Sequence, residues 1–185
     1  MTVHQTEFEQ GSLVKHRLFV ALRPPPGVIP ALARLRAQAT PRTIVADDRL
    51  HLTLFVTEDF ESEPAALAAT MTHALATVRA EAFPVTLDRY GRYGDSLQPA
   101  RATKLRAFQK AVAHALADAG VAPRASWTFS PHMTLGYGAS EAMAGAAIKP
   151  VAWTANEVVL IHSLLRLTIH RTLGRWPLIE QPRLL

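Results

Sequence analysis

Cysteine is absent from all 185 residues, which excludes disulfides and thiolate metal sites. Lysine is scarce: only 4 of the 20 basic residues are lysine and 16 are arginine. No apolar run approaches the roughly 20 residues of a membrane span. Met1 to Gln10 is polar and carries Glu7 and Glu9, without the basic-then-apolar order of a secretory signal. These absences lead to an expected cytoplasmic location with no membrane partner. Low-complexity linkers are missing too, so one domain is expected over residues 16–185, preceded by a flexible tail over residues 1–15.

Present instead are 49% hydrophobic and 19% charged residues, enough apolar material for a real core. The formal charge of +5 rests on arginine. The planar guanidinium matches phosphate oxygens better than a lysine point charge does, so the excess fits a polyanion such as RNA. It fits equally well a soluble surface with an arginine-rich composition.

The strongest signal is a repeat: His51-Leu52-Thr53-Leu54 and His132-Met133-Thr134-Leu135, 81 positions apart (132 − 51). One H-x-T-L would arise by chance roughly once in twelve shuffles of this composition, and two on the order of once in three hundred. Both copies read as strands, in which successive side chains alternate between faces. That parity places His51, Thr53 and Phe55 on one face, and Leu50, Leu52, Leu54 and Val56 on the other. In the second copy His132 and Thr134 oppose Met133 and Leu135. A histidine beside a hydroxyl on the polar face of a half-buried strand adds little stability, but two such strands facing each other suit acid–base chemistry on a phosphate.

Around these motifs, Arg17 to Leu22 reads as a strand ended by Pro24-Pro25-Pro26-Gly27, and Val28 to Ala39 as a helix. Thr43 to Val45 and Leu50 to Val56 read as strands parted by a turn at Asp47-Asp48. Leu67, Met71, Leu75 and Val78 form one helical stripe behind Pro64; Leu105, Phe108, Val112 and Leu116 form another, closed by Gly120. Phe83 to Leu87, Val158 to Ser163 and Leu167 to His170 read as strands. Arg89 to Gly94 and residues 139–150 read as loops. His73 and His114 read as structural or surface residues, and His162 and His170 as structural residues within reach of a cleft.

RLFVALRPP (Arg17 to Pro25), HLTLF (His51 to Phe55), SPHMTLGYG (Ser130 to Gly138) and LGRWPL (Leu173 to Leu178) together resemble the two-histidine phosphoesterases. Within them, the chain is similar to the LigT-like RNA 2′,3′-cyclic phosphodiesterases, also called 2′-5′ RNA ligases. The resemblance implies an α+β fold of two pseudo-symmetric lobes, with antiparallel sheets around a central cleft and helices outside. It implies His51 and His132 as the catalytic acid/base pair, with the assignment between them open, and Thr53 and Thr134 as phosphate binders. The implied reaction is metal-independent opening of a 2′,3′-cyclic phosphate RNA end to a 2′-phosphate, reversible in principle as 2′-5′ ligation. No cofactor and no obligate protein partner are expected, and the chain is expected to act as a monomer.

Two departures from the family pattern stand out. Val56-Thr57-Glu58 follows the first motif where relatives often carry glycine. Tyr137 stands where many relatives place an arginine near the second. Tyr137 shares strand parity with Met133 and Leu135 and so is expected to pack; the alternative is a hydrogen bond to substrate or a stacked base. Arg49, beside the first motif, is the other candidate substrate contact, with Arg23, Arg92 and Arg124 as further candidates for backbone phosphates. Competing functions are a phosphodiesterase for 2′-5′ oligonucleotides or small cyclic nucleotides, and a non-catalytic module that binds RNA ends.

Overall fold

A run of apolar residues that ends in consecutive prolines makes a strand and then stops it, since proline has no N–H for the ladder. That strand is β1 (His16–Leu22), in a computed structural model that describes residues 14–179. Residues 1–13 of the expected tail lie outside the described residues. Lys15 is already tied in: its carbonyl accepts from Leu165 N–H at 2.8 Å and its ammonium sits 3.0 Å from Glu61.

After a 3-10 turn at Pro26–Val28 come α1 (Ile29–Ala39), β2 (Thr43–Ile44), β3 (Leu52–Phe60) and α2 (Ala65–Thr77). Then follow β4 (Phe83–Tyr90), β5 (Ser96–Gln98), α3 (Thr103–Asp118), β6 (Met133–Thr134) and β7 (Gly136–Tyr137). The chain continues as β8 (Ala147–Ala155), β9 (Glu157–Leu164) and β10 (Ile169–Pro177). Both expected helical stripes are buried as read: Met71 and Leu75 on α2, and Leu105, Phe108, Val112 and Leu116 on α3.

Eight strands form one sheet in the order β10-β9-β1-β3-β6-β5-β4-β8, and β2 pairs separately with β7. Four strands on each side meet at the β3–β6 seam, where Leu52 lies opposite Met133 in antiparallel register. One face of the sheet packs on the helices through the main apolar core, which includes Leu18, Leu52, Leu54, Leu32, Met71, Phe108 and Met133. The other face carries only a small cluster of Phe19, Ala21, Val56, Val159 and Ile161, roofed by Trp127. That second face is left open for chemistry. Among the described residues no helix is long and apolar enough to cross a membrane.

Four expectations are corrected. Residues 139–150 are not loop throughout, because β8 begins at Ala147 and pairs with β4 from Leu87↔Val151 to Phe83↔Ala155. Its Val151, Trp153 and Ala155 alternate into the core, and Pro150 is tolerated because β8 is the sheet's edge. Arg89 and Tyr90 belong to β4, and Leu167 lies in the β9–β10 turn. Lastly, the parity of β3 breaks. Between Ala21↔Thr53 and Val20↔Phe55 the register skips Leu54, a bulge that sends Leu54 and Phe55 both into the main core. Val56 therefore emerges on the open face beside Phe19, opposite to the simple alternation. A second irregularity opposite Leu18 is sealed by the Thr57 hydroxyl, which accepts from Leu18 N–H and lies 3.1 Å from Leu18 O.

Candidate active site

Antiparallel register centred on Leu52↔Met133 fixes what surrounds that pair. Both are fully buried on the core side, so their chain neighbours His51, Thr53, His132 and Thr134 project to the open face. The register sets His51 toward Thr134 and Thr53 toward His132, a local two-fold arrangement of two imidazoles and two hydroxyls. All four line one cavity of about 380 Å³, with Arg17, Phe19, Arg49, Tyr137, Arg166 and His170 among its walls. Hollows of about 420 and 540 Å³ occur elsewhere, beside Lys104 and between α1 and β8, but neither is lined by a histidine.

The two-fold extends to the hydrogen bonds. His51 Nδ1 donates to Arg49 O at 2.6 Å, and His132 Nδ1 donates to Ser130 O at 2.7 Å. In each motif the acceptor is the carbonyl two residues upstream. A carbonyl accepts only, so Nδ1 carries a proton in both rings, which leaves Nε2 as the nitrogen not used by that bond. Each motif also ends in the same irregularity: Leu54 and Phe55 are both buried after the first, Leu135 and Gly136 after the second.

The loops that present the histidines are clasped together. Arg36 of α1 bonds Val45 O at 2.8 Å and Asp47 at 2.7 Å, holding the 3-10 turn Asp47–Arg49 that leads into His51. Val45 N–H reaches Leu135 O at 3.0 Å, and Thr43↔Tyr137 and Ile44↔Gly136 pair β2 with β7. This approach needs Gly136: a Cβ there would lie 2.5 Å from both Pro41 Cβ and Thr43 O.

Tyr137 does not pack as its parity suggested. The break at Leu135–Gly136 turns its ring outward, 60% exposed, onto the rim of the cavity. Arg49 lines the cavity without a carboxylate partner among the described residues. Arg124 is committed elsewhere, paired with Asp59 and Glu58, and Arg17 grips Asp59 through two bonds of 2.7 and 3.0 Å. These guanidinium groups hold the Asp59 carboxyl below the usual carboxylate range. Arg23, near enough to act on His51 and His170, has its Nε buried and unpartnered.

His170, read as a structural residue within reach of a cleft, is a wall of the cavity. Its ring meets His51 edge-on at 5.5 Å between centroids and Phe19 at 5.2 Å, while Phe19 also covers His51 at 4.8 Å. Burial, then the proximity of His51, Arg49 and Arg23, brings its pKa down to about 4. Burial likewise lowers the His51 pKa, opposed by the bond to Arg49 O and reinforced by Arg23, His132 and Arg49. His162 lies on the other face, buried, with its Nε2 2.9 Å from His16 Nδ1 and its Nδ1 3.9 Å from Glu63. His73 and His114 are exposed helix residues, as read.

The β9–β10 turn is the part of the wall that the sequence did not announce. Arg166 and Thr168 line the cavity with φ of 70° and 55°, a left-handed conformation that costs non-glycine residues on the order of 1 kcal/mol each. Among the described residues no three His, Asp or Glu side chains converge as a metal-ligand group.

Comparison with known proteins agrees with this geometry. A family model described as the 2′-5′ RNA ligase superfamily matches residues 24–167. The crystal structure of E. coli LigT complexed with 3′-AMP is similar at 26% identity, over 89% of this chain and 98% of that one, with a TM-score of 0.71. A structure described as a phosphoesterase matches at 25% identity, over 89% and 99% of the two chains, with a TM-score of 0.69. A protein of Thermus thermophilus shares the fold at 21% identity, over 87% of this chain and 97% of that one, with a TM-score of 0.60. No curated protein matches the chain.

Proposed function

The chain belongs to the 2′-5′ RNA ligase superfamily, whose members are two-histidine phosphoesterases, and from that premise we propose that it opens 2′,3′-cyclic phosphates at RNA ends without a metal ion. The observation that carries the proposal is the pair of Nε2 atoms, oriented by matching Nδ1–carbonyl bonds, over one cavity with two threonine hydroxyls.

His51 is assigned as the base. Its burial and the flanking guanidinium groups favour the neutral ring, whose Nε2 can accept a proton. Water attacks phosphorus as His51 Nε2 takes its proton; the P–O3′ bond breaks, and Nε2–H of His132 protonates the leaving O3′. The products are a 2′-phosphate and a free 3′-hydroxyl. Thr53 and Thr134 donate to the non-bridging oxygens, where charge grows in the transition state. Arg49 adds a positive charge on the substrate side. With a 5′-hydroxyl in place of water on the reverse path, the same groups would join RNA ends through a 2′-5′ bond. E. coli LigT holds 3′-AMP, which supports a nucleotide as the occupant of this cleft.

The exposed Tyr137 favours a second reading, a phosphodiesterase for 2′-5′-linked oligonucleotides, since an aromatic ring grips a base where an arginine would grip a phosphate. One experiment separates the possibilities: a short RNA with a 2′,3′-cyclic phosphate end and a 2′-5′-linked oligonucleotide are each incubated, in EDTA, with wild type, His51→Ala and His132→Ala. The cyclic end is expected to give a 2′-phosphate, and each substitution to remove about 10²–10⁴-fold of the rate. Binding without product would leave a module that only holds RNA ends. Activity lost in EDTA and restored by a divalent ion would overturn the metal-free mechanism.

A further inference from the structure

Beyond His132 the cleft continues into a second hollow of about 300 Å³, walled by Arg92, Tyr93, Asp95, Gln98 and Ser130. The two hollows share His132, Thr134 and Tyr137, so the second opens directly off the cavity that the two H-x-T segments line. Two features distinguish it from ordinary surface. Tyr93 and Tyr137, each 60% exposed, present two aromatic rings to the same hollow. The Arg92 guanidinium lies 5.6 Å over the Tyr93 ring, and both residues line the hollow.

We infer that this hollow is a subsite for the second nucleotide of a single-stranded RNA, the one adjoining the terminal nucleotide whose phosphate reacts. The inference rests on the phosphodiesterase reading and deepens it. Successive unpaired bases stack on aromatic rings, and an arginine beside such a ring serves the connecting phosphate. The main cavity takes the terminal nucleoside and its cyclic phosphate; the annex takes the next base against Tyr93, with Tyr137 on the boundary. Gln98, Asp95 and Ser130 offer donors and acceptors to the edge of that base. The substrate class is therefore an oligonucleotide end in preference to a free nucleoside 2′,3′-cyclic phosphate.

The test compares a dinucleotide with the matching mononucleotide, on wild type, Tyr93→Ala and Tyr93→Phe. Tyr93 is an exposed turn residue, so neither substitution threatens folding. Affinity is measured with 2′-phosphate-ended ligands carrying 2-aminopurine as the second base, and turnover with the cyclic forms. Wild type is expected to prefer the dinucleotide by about ten-fold or more, with the 2-aminopurine fluorescence quenched by stacking. Tyr93→Ala should bring that ratio close to one, and Tyr93→Phe should keep it. Equal affinities for the two ligands in wild type, or an equal loss on both in Tyr93→Ala, would overturn the subsite. A dinucleotide preference in binding without turnover would uphold the subsite and sink the hydrolysis reading; turnover without the preference would do the reverse.

Discussion

At the scale of single residues, the convergence of His51, Thr53, His132 and Thr134 on one cavity was legible because a strand repeats every two positions, so H-x-T puts imidazole and hydroxyl on one face. The protonation pattern was not legible, since it depends on Arg49 O and Ser130 O, carbonyls placed by loops. Nor was the lowered pKa of His51. That lowering comes first from burial and then from charges such as Arg23 and Arg49, which stand at no motif spacing and act on His51 through space. This gives a signed expectation. Replacing Arg49 with Gln removes a positive neighbour, so the imidazolium form of His51 is less disfavoured and its pKa rises. The acidic limb of kcat/KM, which reports the base of the free enzyme, should then move to higher pH than in wild type. A pH–rate profile checks it, and an unmoved limb would separate Arg49 from His51.

At the scale of elements, the helices were read well because their stripes decide their burial. The strands were read less well wherever the pleat is interrupted. Strict alternation put Phe55 in the cleft and Tyr137 in the core, and the structure reverses both. The cause is the same in each motif: two consecutive buried residues after the threonine. Hydropathy shows such a pair only as two neighbouring apolar or small residues, which a continuous strand also tolerates. The Gly136 approach makes the second interruption testable. Gly136→Ala places a methyl against Pro41 and the Thr43 carbonyl, and one of them must move. Overpacking of this kind costs about 1–3 kcal/mol, visible as a lower midpoint in denaturant. Because β2 would lift from β7, kcat/KM should fall together with stability. A stable, fully active variant would show that the clasp is dispensable.

At the scale of the whole molecule, the two halves were expected as lobes, and they share one sheet joined at a seam where a single register pair is formed. Placing the site on that seam gathers unpaired positive charge and desolvated imidazoles in one basin, and stability should carry the mark of it. His170 has an ordinary pKa of 6.5 and about 4 in the fold. Between those values the unfolded chain binds the proton and the native one does not, so stability is lost as pH falls from about 6.5 to about 4. The loss due to His170 should be roughly 2 kcal/mol once partial solvent screening is discounted. His170→Gln should flatten the fall, as read from thermal midpoints across that range; an unchanged slope would assign it to other groups. The sheet order carries a different consequence, for synthesis. β1 is flanked by β3 and β9, and β10 lies outside β9. Both H-x-T-L segments leave the ribosome well ahead of His170, the later of them by 38 residues (170 − 132). A nascent chain thus emits both candidate histidines while β1 still presents a bare edge, and the β9–β10 hairpin, translated later, adds the wall that carries Arg166, Thr168 and His170.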